Sequence, residues 1–487
     1  MAQLKILLIS IACTIILFFV ALVGGRRKFS FAIRAVAVCY FLMHIANLFF
    51  SDGFLYVINS GYFDGRYFNT QDLTQTFLRW SLAVTPLAFV MASFFDSRLF
   101  KNISFFFGLP VIILCTLNYD TFMMYYLSGT RGIVLAEGVR SVYFSTQLVL
   151  GLTISLGFAV GDVKMFSYES TNDFLRSLAT FSITLPFAYL SAMPLYSLQS
   201  ILGFQKMEIR TGTDGQIAWL ALSFLLIVIL YILFRFKNKR ARYMLCVYLA
   251  LLLSIQYNTM FITGLTLHRL PLQLCNLGAY IYVFTLVFKP KPLINTILLS
   301  STLGAILASV YLTESSYTYF WTLHYCYEHT LDFIVPILAV LLRIFPRPEK
   351  VAIKHNFLCF SIYFFGVFLL GTILNGYAKD LGQDQVNYFF LFSRETATTA
   401  VPFIAPLFNV KLEFGRFYLY PVYQFLVYPL FVVACTLFWG LWKSVLGFLD
   451  DRMQLRVARI ALLEKKFGKI KNMKKYYDTE DEILVRG

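Results

Sequence analysis

Charge is scarce in this sequence. Asp, Glu, Lys and Arg make up only 14% of its 487 residues, while 59% are apolar. Soluble globular chains carry roughly 25% charged and 45–50% apolar residues. The deficit excludes a soluble enzyme, a disordered chain and a nucleic-acid module. Familiar signatures are missing as well. No P-loop, GxGxxG or HExxH occurs, so nucleotide-driven transport and zinc proteolysis lack support. The eight cysteines, Cys13, Cys39, Cys115, Cys246, Cys275, Cys326, Cys359 and Cys435, form no CxxC and lie in or beside apolar runs. That argues against a disulfide framework or a zinc ribbon and reads most of them as small core hydrophobes. No motif calls for a cofactor or a metal.

What the chain has instead is apolar runs of membrane-spanning length. A span takes roughly 20 mostly apolar residues. About thirteen such runs are present, near 4–23, 31–50, 77–96, 103–125, 143–161, 177–200, 216–235, 243–264, 270–288, 293–312, 322–343, 356–375 and 418–442. The basic residues behind the net charge of +16 stand in short clusters between them: Arg26-Arg27-Lys28, Arg235 to Arg242, Lys289 and Lys291, Arg343 to Lys354, and the tail after Lys443. They fall in alternate loops, as cytoplasmic loops do, so the charge records topology and does not imply nucleic acid. The heavier charge follows the run Ile6 to Val23, which predicts an uncleaved first span with its N-terminus outside. An odd number of spans then puts the C-terminus in the cytoplasm of a multi-pass cell-membrane protein. The short stretch 398–410, interrupted by Pro402 and Pro406, reads as a re-entrant or interfacial segment.

The runs suggest a fold class and a division. The chain is expected to be an all-α polytopic membrane protein of two tandem six-span units plus a final span. A first unit covers 1–205, a seven-span unit covers 206–445, and a tail covers 446–487. Leu78-Arg79-Trp80-Ser81-Leu82-Ala83 lines up with Leu270-Pro271-Leu272-Gln273-Leu274-Cys275. This internal repeat puts Ala83 where the second unit has Cys275, so chemistry belongs to the second unit. In the tail, Met453, Leu455, Val457, Ile460, Leu463 and Phe467 alternate with Arg and Lys. They predict either an amphipathic helix on anionic lipid headgroups or a solvated helical tail. The acidic end, Asp478 to Glu482, is expected to be disordered.

Ionisable residues inside spans are costly and are functional candidates by default. The densest group is His324-Tyr325-Cys326-Tyr327-Glu328-His329-Thr330-Leu331-Asp332, which holds two of the five histidines. His324 and Glu328, four apart, share a face; His329 and Asp332, three apart, share another. Three readings fit. The group is a polar helix end satisfied by water and neighbours, or a metal site whose spacing matches no zinc motif, or a catalytic histidine. In the last, Asp332 holds one ring nitrogen of His329 and leaves the other as a base. Cys275, at the outer end of the ninth span, lies at the depth of His329. A Cys paired with a His is a thiolate nucleophile suited to a thioester, whereas a lone Cys on a span serves packing. His44, in the second span, reads as a satisfied interior histidine.

Four landmarks in order carry a resemblance over about residues 216–442. Leu270-Pro271-Leu272-Gln273-Leu274-Cys275 resembles the LPLhlC signature of bacterial YwaF-type integral membrane proteins. His329 with Pro336, Asn375 followed by Asn387-Tyr388-Phe389, and Pro421 with Tyr423 resemble that family's later landmarks. The family is distantly similar to eukaryotic transmembrane acyltransferases that use a Cys and a His to move fatty acyl chains between phospholipids. Relatives with a Thr and a His hydrolyse fatty acid esters of hydroxy fatty acids. The resemblance implies Cys275 as nucleophile, His329 as base, and Asn375 and Asn387 placing substrate. The sequence departs from the pattern at Gln273 (usually His), Phe389 (usually Met) and Thr330 (often Gly), and in its N-terminal unit. The expected function is thus a lipid acyltransferase or hydrolase facing the outer leaflet, with membrane lipids as substrate, Cys275 and His329 at its centre, and Asp332, Asn375, Asn387, His324 and Gln273 in support. The rivals are a transporter and a non-catalytic scaffold, in either of which Cys275→Ala is nearly silent.

Overall fold

In hydrocarbon a backbone must satisfy its own hydrogen bonds, which leaves helices as the economical form for each apolar run. The computed structural model describes residues 1–50, 70–121, 137–192, 211–259, 266–311, 319–394 and 402–467, and within them the chain is all-α. The helices are α1 (Ala2–Phe50), α2 (Thr70–Phe95), α3 (Arg98–Leu117), α4 (Glu137–Gly161), α5 (Thr171–Ser191), α6 (Asp214–Phe234), α7 (Lys239–Asn258), α8 (Leu274–Phe288), α9 (Lys291–Val310), α10 (Tyr319–Leu341), α11 (Val351–Tyr377) and α12 (Pro421–Phe467). α1 is two helices joined at Gly25, whose φ of 72° only glycine adopts cheaply. Leu17 and Ile33, equally far from Gly25 along the chain, both reach the Cβ position of Gly157 in α4, so the two halves return side by side. Counted this way, each expected span has its helix among the described residues. Among the described residues, seven helical segments are both long and apolar enough to cross a membrane. The acidic end of the tail lies outside the described residues.

The chain packs as two compact units. One comprises Met1–Met207, Leu251–Arg269 and Tyr317–His324; the other comprises Glu208–Ala250, Leu270–Ser316 and Tyr325–Gly487. In the first, Tyr40 of α1 meets α2 through a 2.9 Å hydrogen bond to the Thr85 hydroxyl and an edge-on contact with Phe89. The Lys101 ammonium, 6% exposed, lies between the carboxylates of Asp96 and Asp162. A buried cation needs such partners. His44 is also buried, and its Nε2 has no hydrogen-bond partner among the described residues.

In the second unit, α6 is capped by the Thr213 side chain, and its Gln216 donates to the carbonyls of Ser309 and Val310 at the end of α9 (2.8 and 2.7 Å). On α10 the Thr330 hydroxyl accepts from the Trp219 indole (2.8 Å) and pairs with Ser223 (3.0 Å). α12 has 47 residues, about 70 Å at 1.5 Å per residue, more than twice the roughly 30 Å hydrocarbon thickness. Beyond the span, Asp450 receives a two-pronged contact from Arg347 (3.1 and 2.6 Å) and a looser one from Arg343 (3.4 Å). Between α11 and α12, residues Pro402–Phe408 form a 3₁₀ helix and Leu412–Phe414 pairs antiparallel with Phe417–Leu419. The segment expected at 398–410 is described only from residue 402.

Each unit contains one helix of the same unusual build. In α3 an α-turn segment of 6 residues (Arg98–Ile103) leads into a π segment of 5 (Ser104–Gly108) and an α segment of 9 (Leu109–Leu117). In α9 the segments are again 6 (Lys291–Thr296), 5 (Ile297–Ser301) and 9 (Thr302–Val310). A non-glycine residue in the left-handed region precedes each: Asp96 at φ 47° and Lys289 at φ 52°. Such residues are uncommon.

Candidate functional site

Pro271 cannot continue a helix interior, and the backbone turns at Leu270–Leu272 (2.7 Å from Leu272 N to Leu270 O). Gln273 is extended (φ −69°, ψ 149°) and caps α8, which begins at Leu274. Cys275 therefore stands on the first turn, where backbone N–H groups lack intrahelical partners and the helix dipole is positive. Cys275, Gly278 and Tyr282 follow at spacings of three and four and share one face of α8.

α10 offers Glu328 and Asp332, one turn apart. The Cys275 sulfur and the nearest oxygens of Glu328 and Asp332 all lie within 4.8 Å of one another. The thiol donates to the Asn276 side-chain oxygen at 3.3 Å. Cys275 is partly buried, Glu328 is 6% exposed and Asp332 is 0% exposed. Neither carboxylate oxygen of Asp332 has a hydrogen-bond partner among the described residues. Tyr282 donates to the Asp332 backbone carbonyl instead, at 2.7 Å. Asp332 approaches α8 so closely that a Cβ on Gly278 would collide with its Oδ1. Gly278 is what lets the two helices bring these groups together.

His329 turns to another face of α10. Its Nδ1 donates to the Tyr325 carbonyl at 2.8 Å, and its ring lies 4.1 Å from that of Tyr325, centroid to centroid. With the proton on Nδ1, the lone pair is at Nε2. The expected role of Asp332 in orienting His329 falls to the Tyr325 carbonyl, which sits one turn back within reach of the ring; Asp332 points to Cys275. His324 is buried and donates from Nε2 toward the Gln256 carbonyl at 3.2 Å.

The remaining expected residues brace the loop after α11. Asn375 donates to the Val386 carbonyl (2.9 Å) and accepts from its N–H (2.6 Å). The Asn387 side-chain oxygen accepts from the N–H groups of Phe392 and Ser393 (both 2.9 Å). Gln273 accepts from Phe389 N–H (2.8 Å) and donates to the Asn387 carbonyl (3.1 Å). Tyr363 donates to the Leu272 carbonyl at 2.9 Å. These bonds hold Phe389 and Phe390 in the left-handed region (φ 51° and 58°), a strained state that persists only where neighbours over-determine it. Glu328, Gly278 and Tyr282 were not in the expected site. The four-residue spacing of Glu328 and Asp332, and the Cys275–Gly278–Tyr282 stripe, were the signals for them.

A thiol beside two carboxylates can hold a proton among three groups or ligate a cation; among the described residues, Cys275, Glu328 and Asp332 are a group that could hold a metal.

The model of the TMEM164 family, a family of membrane proteins, matches residues 211–442. That stretch holds every member of this cluster and its loop braces, and it nearly coincides with the 216–442 expected from the motifs. The match supports a membrane protein family over that stretch; it carries neither the bacterial YwaF name nor an acyltransferase activity. No curated protein and no solved structure matches the chain.

Proposed function

From this match to a membrane protein family, we propose that the protein is a lipid-active membrane enzyme that transfers or hydrolyses acyl groups. The supporting observations are a cysteine on the first turn of α8 and, on α10, a histidine whose Nδ1 is held by the Tyr325 carbonyl. His329 lies on another face of α10 from the Cys275 cluster, so the reaction requires its ring to turn toward the sulfur when substrate binds. The Cys275 thiol gives its proton to His329 Nε2, and the sulfur attacks the carbonyl of a phospholipid or other lipid ester. The ester C–O bond breaks, a thioester forms, and the leaving alkoxide takes the proton from His329. An acceptor hydroxyl or water then gives its proton to His329 and attacks the thioester; the C–S bond breaks, and the released Cys275 thiolate takes the proton back from His329. On this reading the site faces the outer leaflet of the cell membrane, and the basic tail meets anionic headgroups inside.

The matched α–π–α build of α3 and α9 supports an internal repeat. Counted from Asp96 and Lys289, Leu82 and not Ala83 takes the place of Cys275. Leucine has no nucleophile either, so the chemistry stays with the second unit. The same observation favours transport as a second reading, because transporters place irregular helices at corresponding positions of their repeats. Reconstitution separates the two. Wild type, Cys275→Ala and His329→Ala in liposomes of mixed phospholipids are followed by lipid mass spectrometry. Acyl redistribution or fatty-acid release that needs both residues supports the enzyme. No turnover across several ester classes, with all three proteins folded, sinks it.

A further inference from the structure

We propose that Cys275, Glu328 and Asp332 form a binding site for a single divalent transition-metal cation, zinc by ligand type. The inference stands on the cluster's geometry and does not rest on the acyl-transfer reading. Two carboxylates and a sulfur converge within 4.8 Å in a nearly dry interior. Around a zinc ion, with Zn–S about 2.3 Å and Zn–O about 2.0–2.2 Å, ligand atoms stand about 3–4 Å from one another. The cluster needs only small side-chain shifts to reach that. The second and independent observation is Asp332 itself. Its carboxylate is wholly buried, has no hydrogen-bond donor among the described residues, and points at the sulfur and at Glu328. A buried carboxylate without a donor is unfavourable, and a cation at the centre answers the Asp332 oxygens while taking Glu328 as a second ligand.

The surroundings fit a cation. Tyr282 donates to the Asp332 backbone carbonyl, which fixes the ligand's position. Gly278 admits the carboxylate against the α8 backbone. The thiolate ligand selects zinc over magnesium or calcium, which prefer oxygen alone. Three protein ligands leave a fourth position for water or for an oxygen of a substrate, the arrangement of catalytic zinc sites. Binding converts the Cys275 thiol to a metal-held thiolate and releases its proton to solvent.

The test uses the full chain purified in lipid nanodiscs, with zinc and cobalt(II) as probes. The expected wild type retains about one equivalent of zinc per chain. After exchange to cobalt it shows a near-ultraviolet sulfur-to-cobalt charge-transfer band. Cys275→Ser loses the band, and Glu328→Gln and Asp332→Asn each weaken cobalt binding by at least about tenfold. X-ray absorption at the zinc edge on the wild type alone reads one sulfur with oxygen neighbours, which keeps the proposal testable if a variant misfolds. Wild type that binds neither metal overturns it and leaves the three groups sharing a proton. A band that survives Cys275→Ser, or affinity unchanged in both carboxylate variants, overturns it as metal bound elsewhere. Metal content is read without turnover, so failure here leaves acyl transfer standing, and failed turnover leaves the metal site standing.

Discussion

Replacing Gly278 with Ala adds one methyl group where Asp332 Oδ1 already sits. Two terms oppose each other. Alanine gains about 0.5–1 kcal/mol over glycine in a helix interior. Over-packing a filled interface costs about 1–3 kcal/mol. Gly366 in α11 separates them, because a Cβ there meets nothing within 4 Å. Gly366→Ala collects the helix gain alone and is neutral to slightly stabilising. Gly278→Ala should therefore lie about 1–3 kcal/mol below Gly366→Ala. Chemical unfolding of both variants in the same detergent measures the gap. Asp332→Ala removes the colliding oxygen, so the penalty of Gly278→Ala should disappear in that background, a coupling that a double-mutant cycle reads directly. Equal stability of the two alanine variants, or a penalty that survives Asp332→Ala, refutes the close approach of α8 and α10.

Three further expectations follow from other parts of the fold. Asn375→Ala leaves the buried Val386 N–H and carbonyl unanswered and should cost about 1–3 kcal/mol, with faster proteolysis in the 378–393 loop as the local readout. Burial raises the Asp96 carboxyl, but the Lys101 hydrogen bond and charge, followed by Arg26, outweigh it and hold it below the usual carboxylate range. A depressed carboxylate stabilises above its unfolded value and loses that contribution as pH falls through its folded one. The advantage of wild type over Asp96→Asn should thus be full at neutral pH, begin to decline near pH 4 and vanish only at lower pH still, as melting curves at stepped pH would show. Asp450→Asn breaks the two-pronged contact with Arg347, so a spin label at Arg452 should gain mobility while the span of α12 is unchanged.

Hydropathy revealed the spans because burial in lipid acts on every residue of a run. Each of the thirteen runs has its helix, and the Gly24-Gly25 pair with its basic triplet marked the turn inside α1. Depth was legible too: Cys275 meets Glu328 and Asp332 of the 324–332 cluster within the second unit. Direction was not. Successive helix positions are 100° apart, so whether Glu328 or His329 faces Cys275 depends on the rotation of α10, which packing against Gly278 decides. The loop braces were hidden for another reason. Gln273 meets Asn387 and Phe389 across more than a hundred residues, and no local pattern encodes that. The π segments gave no signal, since Ser104–Gly108 and Ile297–Ser301 read as ordinary apolar helix.

The most direct test of the account is whether the Cys275 sulfur carries an acyl group during turnover. Purified protein incubated with lipid esters bearing an alkyne-tagged acyl chain would be digested and its peptides read by mass spectrometry. The account predicts a hydroxylamine-labile adduct on the peptide containing Cys275, lost in His329→Ala. An adduct-free Cys275 peptide while tagged acyl groups still move between lipids would contradict it.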